Sequence, residues 1–393
     1  MSRTAVWCGA DRLLSDTSRL AELKARSVGV LANPTSVTRS FLHLVDALCA
    51  EGVTPTRLFG PEHGLRGEAQ DMIAVDEGRD PITGLPTVSL YGDTFDSLKP
   101  TPGQLADIDL MIIDIQDVGA RYYTYVYTAM LTAEACTEAG VDVLILDRPN
   151  PITSRVEGPP VLPGFDSFVG MLPLPNRHGL TLAEVLRFAK NSGRRLTFDV
   201  IAASGWTPSL WFDQTNAPWV LPSPNMPTLD TALVYPGMCL LEGTELSEGR
   251  GTTRPFELFG APFIDAARLA KILESLPLPG VRFRQVSFEP TFQKWARQRC
   301  SGLQLHVIDR NVFDSTSTGA AIVWACARLF DAFEWRTKAY EFVQNVPAID
   351  LLFGAAEPRA LIEEGAPFEA LSECLRTPAA LRQELDAARM YRE

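Results

Sequence analysis

Two stretches of this chain set the terms for the rest. Residues 109–116 (DLMIIDIQ) and 141–147 (VDVLILD) are apolar with no polar alternation. A strand of that kind is buried on both faces, as happens in a parallel sheet covered by helices on both sides. Parallel neighbours need long crossover connections. Residues 127–139 supply one, a helical pattern stopped by Gly140. Similar alternation runs through the first half. Strands are expected at 27–33, 56–60 and 87–91 and near 196–202, and helices at 40–51 and from Thr181, where Glu184 completes a capping box. The pattern predicts an α/β fold with a mostly parallel sheet.

Residues 205–229 are rich in Pro, Trp and Asn, and beyond them the texture changes. Helices at 265–276 and 318–333, strands at 282–288 and 303–308 and a mostly helical tail from Pro347 predict a smaller α+β unit. A length of 393 residues suits two domains, placed at 1–229 and 230–393. The net charge of -12 argues against nucleic acid or anionic lipid as a partner, so an anionic ligand would need local arginines. The seven cysteines include no CxxC pair, which fits reduced thiols rather than a zinc site or a disulfide framework. No apolar run approaches the ~18–20 residues of a membrane span, and the first 16 residues have no signal-peptide core. A cytoplasmic protein is expected; the oligomeric state is left open.

Ligands of parallel sheets bind outside the carboxyl ends of the strands. Here each strand runs into a polar turn: Asn33-Pro34-Thr35, then Gly60 to Gly67 around Glu62 and His63, then Asp117 to Tyr123, then Asp147 to Pro151. These groups are expected to share one rim. Glu62 is the sharpest candidate, because Pro61 and the flanking glycines would stiffen its loop and a general acid needs a fixed carboxyl. The alternative is a structural Glu paired with Arg66. His63 would orient Glu62 or bind a hydroxyl, unless it is structural, and the same choice applies to His178. Arg121 beside Tyr122 and Tyr123, and Arg148 beside Asn150, are candidates to clamp a carboxylate, with a ring stacked on a sugar face.

Asp114, Asp117 and Asp147 would make a hard-metal set, but Asp114 and Asp117 should face opposite sides of an extended strand, so no metal or other cofactor is expected. Glu242, Glu245, Glu248 and Arg250 share a Gly-rich loop that reads as ligand-facing or as a solvated surface. Phosphate-loop, dinucleotide and nucleophile-elbow signatures are all missing.

GPEHG at 60–64, DIQDVG at 114–119, RYYTY at 121–125, LDRPNP at 146–151, PSPNMP at 222–227 and SEGRGTT at 247–253 occur in this order. Together they resemble the bacterial exo-β-N-acetylmuramidase family, from about residue 27 to the C-terminus. The resemblance implies a Rossmann-like domain, a smaller C-terminal domain, a cleft between them, and release of N-acetylmuramic acid from peptidoglycan fragments. Glu62 matches the family's proposed catalytic glutamate. The second catalytic group would be Glu248 or Asp117. Arg121, Arg148 and Arg250 would read the lactyl carboxylate, and Asn150 and Asn225 the hydroxyl or acetamido groups. A non-catalytic sugar-binding protein and a metal-dependent phosphoryl or acyl hydrolase are the rival readings.

Overall fold

The computed structural model describes residues 3–66, 78–92 and 94–393; Gly67 of the Glu62 loop lies outside them. Seven strands form the main sheet: β1 (Val28–Ala32), β2 (Arg57–Gly60), β3 (Gly78–Arg79), β4 (Pro86–Ser89), β5 (Leu110–Asp114), β6 (Asp142–Leu146) and β7 (Asp199–Ile201). Their spatial order is β3-β4-β2-β1-β5-β6-β7, parallel throughout except that β3 runs antiparallel to β4. Without the edge strand β3, the order is that of a Rossmann sheet, reversing between β1 and β5.

Side-chain alternation explains why both faces are covered. Val28, Val30, Ala32, Leu110, Ile112, Leu144 and Leu146 share a buried cluster with Leu13 of α1 (Gly9–Ser15), Leu20 of α2 (Thr17–Lys24) and Leu44 and Leu48 of α3 (Leu44–Ala50). Leu31, Met111, Ile113, Val143 and Ile145 point the other way, into the larger core. That core receives α4 (Pro102–Leu105), α5 (Tyr125–Ala139) and α6 (Leu182–Asn191). The expected strands are present, trimmed at their ends. α1 and α2 stand before residue 27, where the sequence pattern predicts no element. The first predicted helix starts at 40, whereas His43 caps α3 by accepting from the Val45 N–H at 3.3 Å.

The second sheet is antiparallel, in the order β8-β10-β9: β8 (Leu258–Ala261), β9 (Val281–Phe288) and β10 (Cys300–Val307). Around it lie α7 (Leu229–Met238), α8 (Ala266–Glu274) and α9 (Ser315–Leu329). α7 and α9 meet at Gly237 and Gly319, where a Cβ on Gly237 would sit 1.7 Å from the Ser315 carbonyl oxygen, so only glycine permits that crossing. The tail forms four short helices, α10 (Ala348–Phe353), α11 (Glu357–Glu363), α12 (Phe368–Cys374) and α13 (Ala379–Ala388). It then returns to the first sheet, where the Tyr391 hydroxyl donates to Asp147 at 2.7 Å and the Met390 N–H to Glu184 at 2.7 Å. Among the described residues, no helix is long and apolar enough to cross a membrane.

The carboxyl ends of β5 and β6 are tied by a buried ion pair. Arg148 donates through Nε and Nη2 to Asp114 at 2.5 and 2.8 Å, and through Nη2 to the Val37 carbonyl at 3.0 Å. Removing one partner of such a pair typically costs about 3–5 kcal/mol, whereas replacing both by apolar groups is often tolerated. Arg148→Met should therefore lose about that much in chemical denaturation, and adding Asp114→Leu should recover a large part of it. A single variant as stable as the parent would refute this role.

Candidate active site

Glu62 lies in the turn that leaves β2. The Gly64 N–H donates to the Pro61 carbonyl at 3.0 Å, closing the turn, and His63 and Gly64 both take positive φ, 71° and 82°. Non-glycine residues are uncommon in the left-handed region, and histidine is one of the few enriched there. Arg66, three residues on from His63, is anchored by Asp80 and Asp46, at 2.9 Å each. These carboxylates hold its guanidinium more firmly protonated than usual. The loop is thus fixed from behind while Glu62, half-buried, faces forward. The Thr124 hydroxyl donates to Glu62 Oε2 at 3.3 Å. The Tyr125 hydroxyl, donating to the Pro222 carbonyl at 2.6 Å, lies 3.3 Å from the Glu62 carbonyl oxygen.

Glu62 opens onto a cavity lined by residues of both halves of the chain. Its wall includes His63, Tyr123, Asn225, Glu242, Arg250 and Glu341. Two buried polar groups face it: the Asn225 side-chain nitrogen, without a hydrogen-bond partner in a residue 8% exposed, and the Tyr123 hydroxyl, in a residue 7% exposed, which lies beside Ser223 and Tyr125. Burial pushes the Tyr123 phenol well above its ordinary value, so it stays a neutral O–H. Buried donors are nearly always satisfied, and orphans need an explanation. At a polar cavity wall, water or a ligand can supply the missing partner.

The structure thus gathers Glu62, His63, Tyr123, Asn225 and Arg250, and places the other expected residues elsewhere. Arg121 is fully buried and donates to the carbonyls of Pro159, Leu174 and Leu352. Arg148 is taken by Asp114. Neither guanidinium reaches the cavity, so the expected carboxylate clamp is corrected: these arginines bind the protein's own backbone and carboxylates. Asn33 accepts from the Thr35 N–H at 3.1 Å, and Asn150 spans the Ile152 N–H and the Leu180 carbonyl, at 3.0 and 2.8 Å. Asp117 accepts from the Gly119 N–H at 2.6 Å and faces His178 Nε2 at 3.1 Å. His178 Nδ1 accepts from the Leu180 N–H at 3.1 Å, which leaves the ring proton on Nε2, toward Asp117. A Cβ on Gly119 would lie 2.7 Å from Asn150 Oδ1, so this rim is packed solid.

Glu248 is corrected too. It is 3% exposed, paired with Lys294 at 2.9 Å and with Arg250 Nε at 3.4 Å, behind the cavity wall. The metal alternative loses its ligands: Asp114 holds Arg148, Asp117 holds Gly119, and Asp147 accepts from Thr181 and Tyr391 at 2.7 Å each. Burial pushes the Asp147 carboxyl up to about 6. Among the described residues, no group of three or more His, Cys, Asp or Glu could hold a metal ion.

Sequence reasoning assigned no site role to Glu242, Tyr340 or Glu341. Glu242 stands in the glutamate-rich loop that drew notice. It accepts from Arg250 Nη2 at 2.8 Å and from the Tyr340 hydroxyl at 2.7 Å. Burial alone would raise its carboxyl, but Arg250, Tyr340 and Lys294 together hold it below the usual range. Tyr340 and Glu341 lie in a segment with no motif, and the signal is in the backbone. Tyr340 and Val343 exchange N–H to carbonyl bonds at 3.0 and 2.9 Å, enclosing Glu341 and Phe342 with φ of 45° and 69°. A two-residue turn with two positive φ values favours Asn-Gly, and larger residues cost about 1–3 kcal/mol each there. Phe342 packs edge-on against Phe95 and Phe168 of the first half, with ring centroids 6.4 and 6.3 Å apart.

With this geometry in view, the comparisons with known proteins are specific. Profiles described as the N-terminal and C-terminal parts of "Exo-beta-N-acetylmuramidase NamZ" match residues 28–230 and 233–385. The peptidoglycan β-N-acetylmuramidase NamZ of Bacillus subtilis is 43% identical over 367 residues, 93% of this chain and 86% of the relative. Crystal structures of two DUF1343 family proteins of Bacteroides fragilis each cover 99% of this chain and 100% of their own. One has a TM-score of 0.86 at 28% identity, the other 0.77 at 26% identity.

Proposed function

The chain belongs to the exo-β-N-acetylmuramidase family NamZ, and on that footing we propose that its shared cavity takes the terminal N-acetylmuramic acid of peptidoglycan fragments, with Glu62 as proton donor. The enzyme is a glycosidase. What supports Glu62 is its position: a carboxyl on a braced, left-handed turn, facing a cavity whose wall carries the buried Asn225 side-chain nitrogen and Tyr123 hydroxyl. A sugar rich in hydroxyl, acetamido and carboxylate oxygens suits those donors. Glu62 would protonate the glycosidic oxygen as the anomeric carbon gains oxocarbenium character. Asn225 and Tyr123 would meet acetamido or hydroxyl oxygens, and His63 a ring hydroxyl.

The lactyl carboxylate falls to Arg250, the one Lys or Arg among the described lining residues. Glu242 fixes one face of its guanidinium, and Phe256 lies 5.3 Å from it. We further read the chain as a catalytic unit at 1–229 and a unit at 230–393 that completes the cleft, acting in the cytoplasm on imported wall sugars.

Glu62→Gln should lower kcat on a disaccharide with terminal N-acetylmuramic acid by about 10²–10⁴-fold, the usual range for a general acid. The assay is release of free N-acetylmuramic acid, and turnover near the parent's removes Glu62 from this role. For Arg250→Met, the readout is product inhibition. Affinity for N-acetylmuramic acid should fall at least tenfold, and that for N-acetylglucosamine much less. An equal loss for both sugars would take the lactyl group away from Arg250.

A further inference from the structure

Thr124 stands directly before α5, in the position that caps a helix. Threonine is favoured there because its hydroxyl can accept an N–H that the first turn leaves unpaired. In this protein it makes no such bond. Its backbone is helical, with φ of -62° and ψ of -12°, and its carbonyl accepts the Tyr127 and Thr128 N–H groups at 3.0 Å each. The hydroxyl turns instead to the loop after β2 and donates to Glu62 Oε2 at 3.3 Å. The next residue meets the same glutamate at its other end. The Tyr125 hydroxyl lies 3.3 Å from the Glu62 carbonyl oxygen while donating to the Pro222 carbonyl at 2.6 Å. Both residues are buried at the start of a helix packed into the larger core. A branched side chain in that place has few rotamers, so α5 sets the direction of the Thr124 hydroxyl.

We propose that Thr124 is a positioning residue for the proton donor: its hydroxyl forgoes the cap of α5 to hold Glu62 Oε2, which leaves Oε1 to carry the proton toward the leaving oxygen. The inference rests on the reading of Glu62 given above. As the bond from the anomeric carbon to the glycosidic oxygen breaks, its electron pair stays on that oxygen, which takes the proton from Oε1. The proton of Thr124 does not move. Glu62 is left as a carboxylate, and a hydrogen bond to a charged oxygen is stronger than one to a neutral oxygen. The contact therefore strengthens as the proton departs. An interaction that grows toward the transition state raises kcat rather than tightening the bound substrate.

The test uses the full chain with Thr124→Val, which nearly keeps the side chain's shape and removes the hydroxyl, and Thr124→Ser, which keeps the hydroxyl. Two substrates are compared. The disaccharide has a sugar leaving group that needs protonation, whereas a 4-nitrophenyl β-glycoside of N-acetylmuramic acid releases a stable phenolate. For Thr124→Val, kcat on the disaccharide should fall about tenfold or more, and that loss should exceed the loss on the nitrophenyl substrate by about tenfold. KM for the disaccharide should change much less than kcat. Thr124→Ser should recover most of the difference. Both rates come from one preparation, so misfolded protein cancels from their ratio, and a threonine that only shaped the helix would lower both alike. Equal losses on the two substrates, or a serine variant no better than the valine variant, overturn the assignment. Glu62→Gln measured in parallel separates the two readings. If it shows the split between substrates and Thr124→Val does not, Thr124 alone loses its role. If Glu62→Gln shows no split, the proton-donor reading fails and this inference fails with it.

Discussion

Two arginines with almost no access to water hold this protein's two halves in register, and a third ties the first sheet together. A guanidinium in a protein interior must spend its fork of donors on fixed acceptors or forfeit its hydration. Arg121 spends its donors on the carbonyls of Pro159, Leu174 and Leu352, joining the first half to the tail. Arg177 pairs with Glu157 at 2.5 Å, and the same carboxylate receives the Ser315 N–H at 2.8 Å, at the first turn of α9. Its negative charge suits that positive helix end. Arg148 and Asp114 fasten the strand ends of the first sheet. A cavity walled by both halves keeps its shape only if they do not slide, and these contacts are directional as well as buried.

The same residues explain what the sequence made legible and what it did not. Apolar runs at 109–116 and 141–147 revealed the parallel sheet because burial on both faces leaves no room for polar alternation. The sequence does place polar residues beyond the strand ends. It could not separate side chains that face a ligand from side chains that face the protein, since Arg121, Arg148, Asn150 and His178 have the composition of a binding site and the partners of a scaffold. Glu62 was readable from its rigid turn. Glu341 was not, because a left-handed φ at a non-glycine residue leaves no mark in composition or spacing.

Charge pairing surrounds the cavity closely. Glu242 meets Arg250 on the wall itself, Glu248 meets Lys294 behind it, and Arg66 meets Asp46 and Asp80 beneath the Glu62 loop. Two turns at the wall hold side chains in disfavoured backbone regions. Such local strain lowers the stability of a protein and is commonly kept where function holds it.

The contact of Phe342 with Phe95 and Phe168 bears on how independently the two halves can move. The rings bridge one half to the other. Pulling the halves apart would expose more of these apolar rings to water, so motion of the turn that carries Phe342 is tied to motion of the halves themselves.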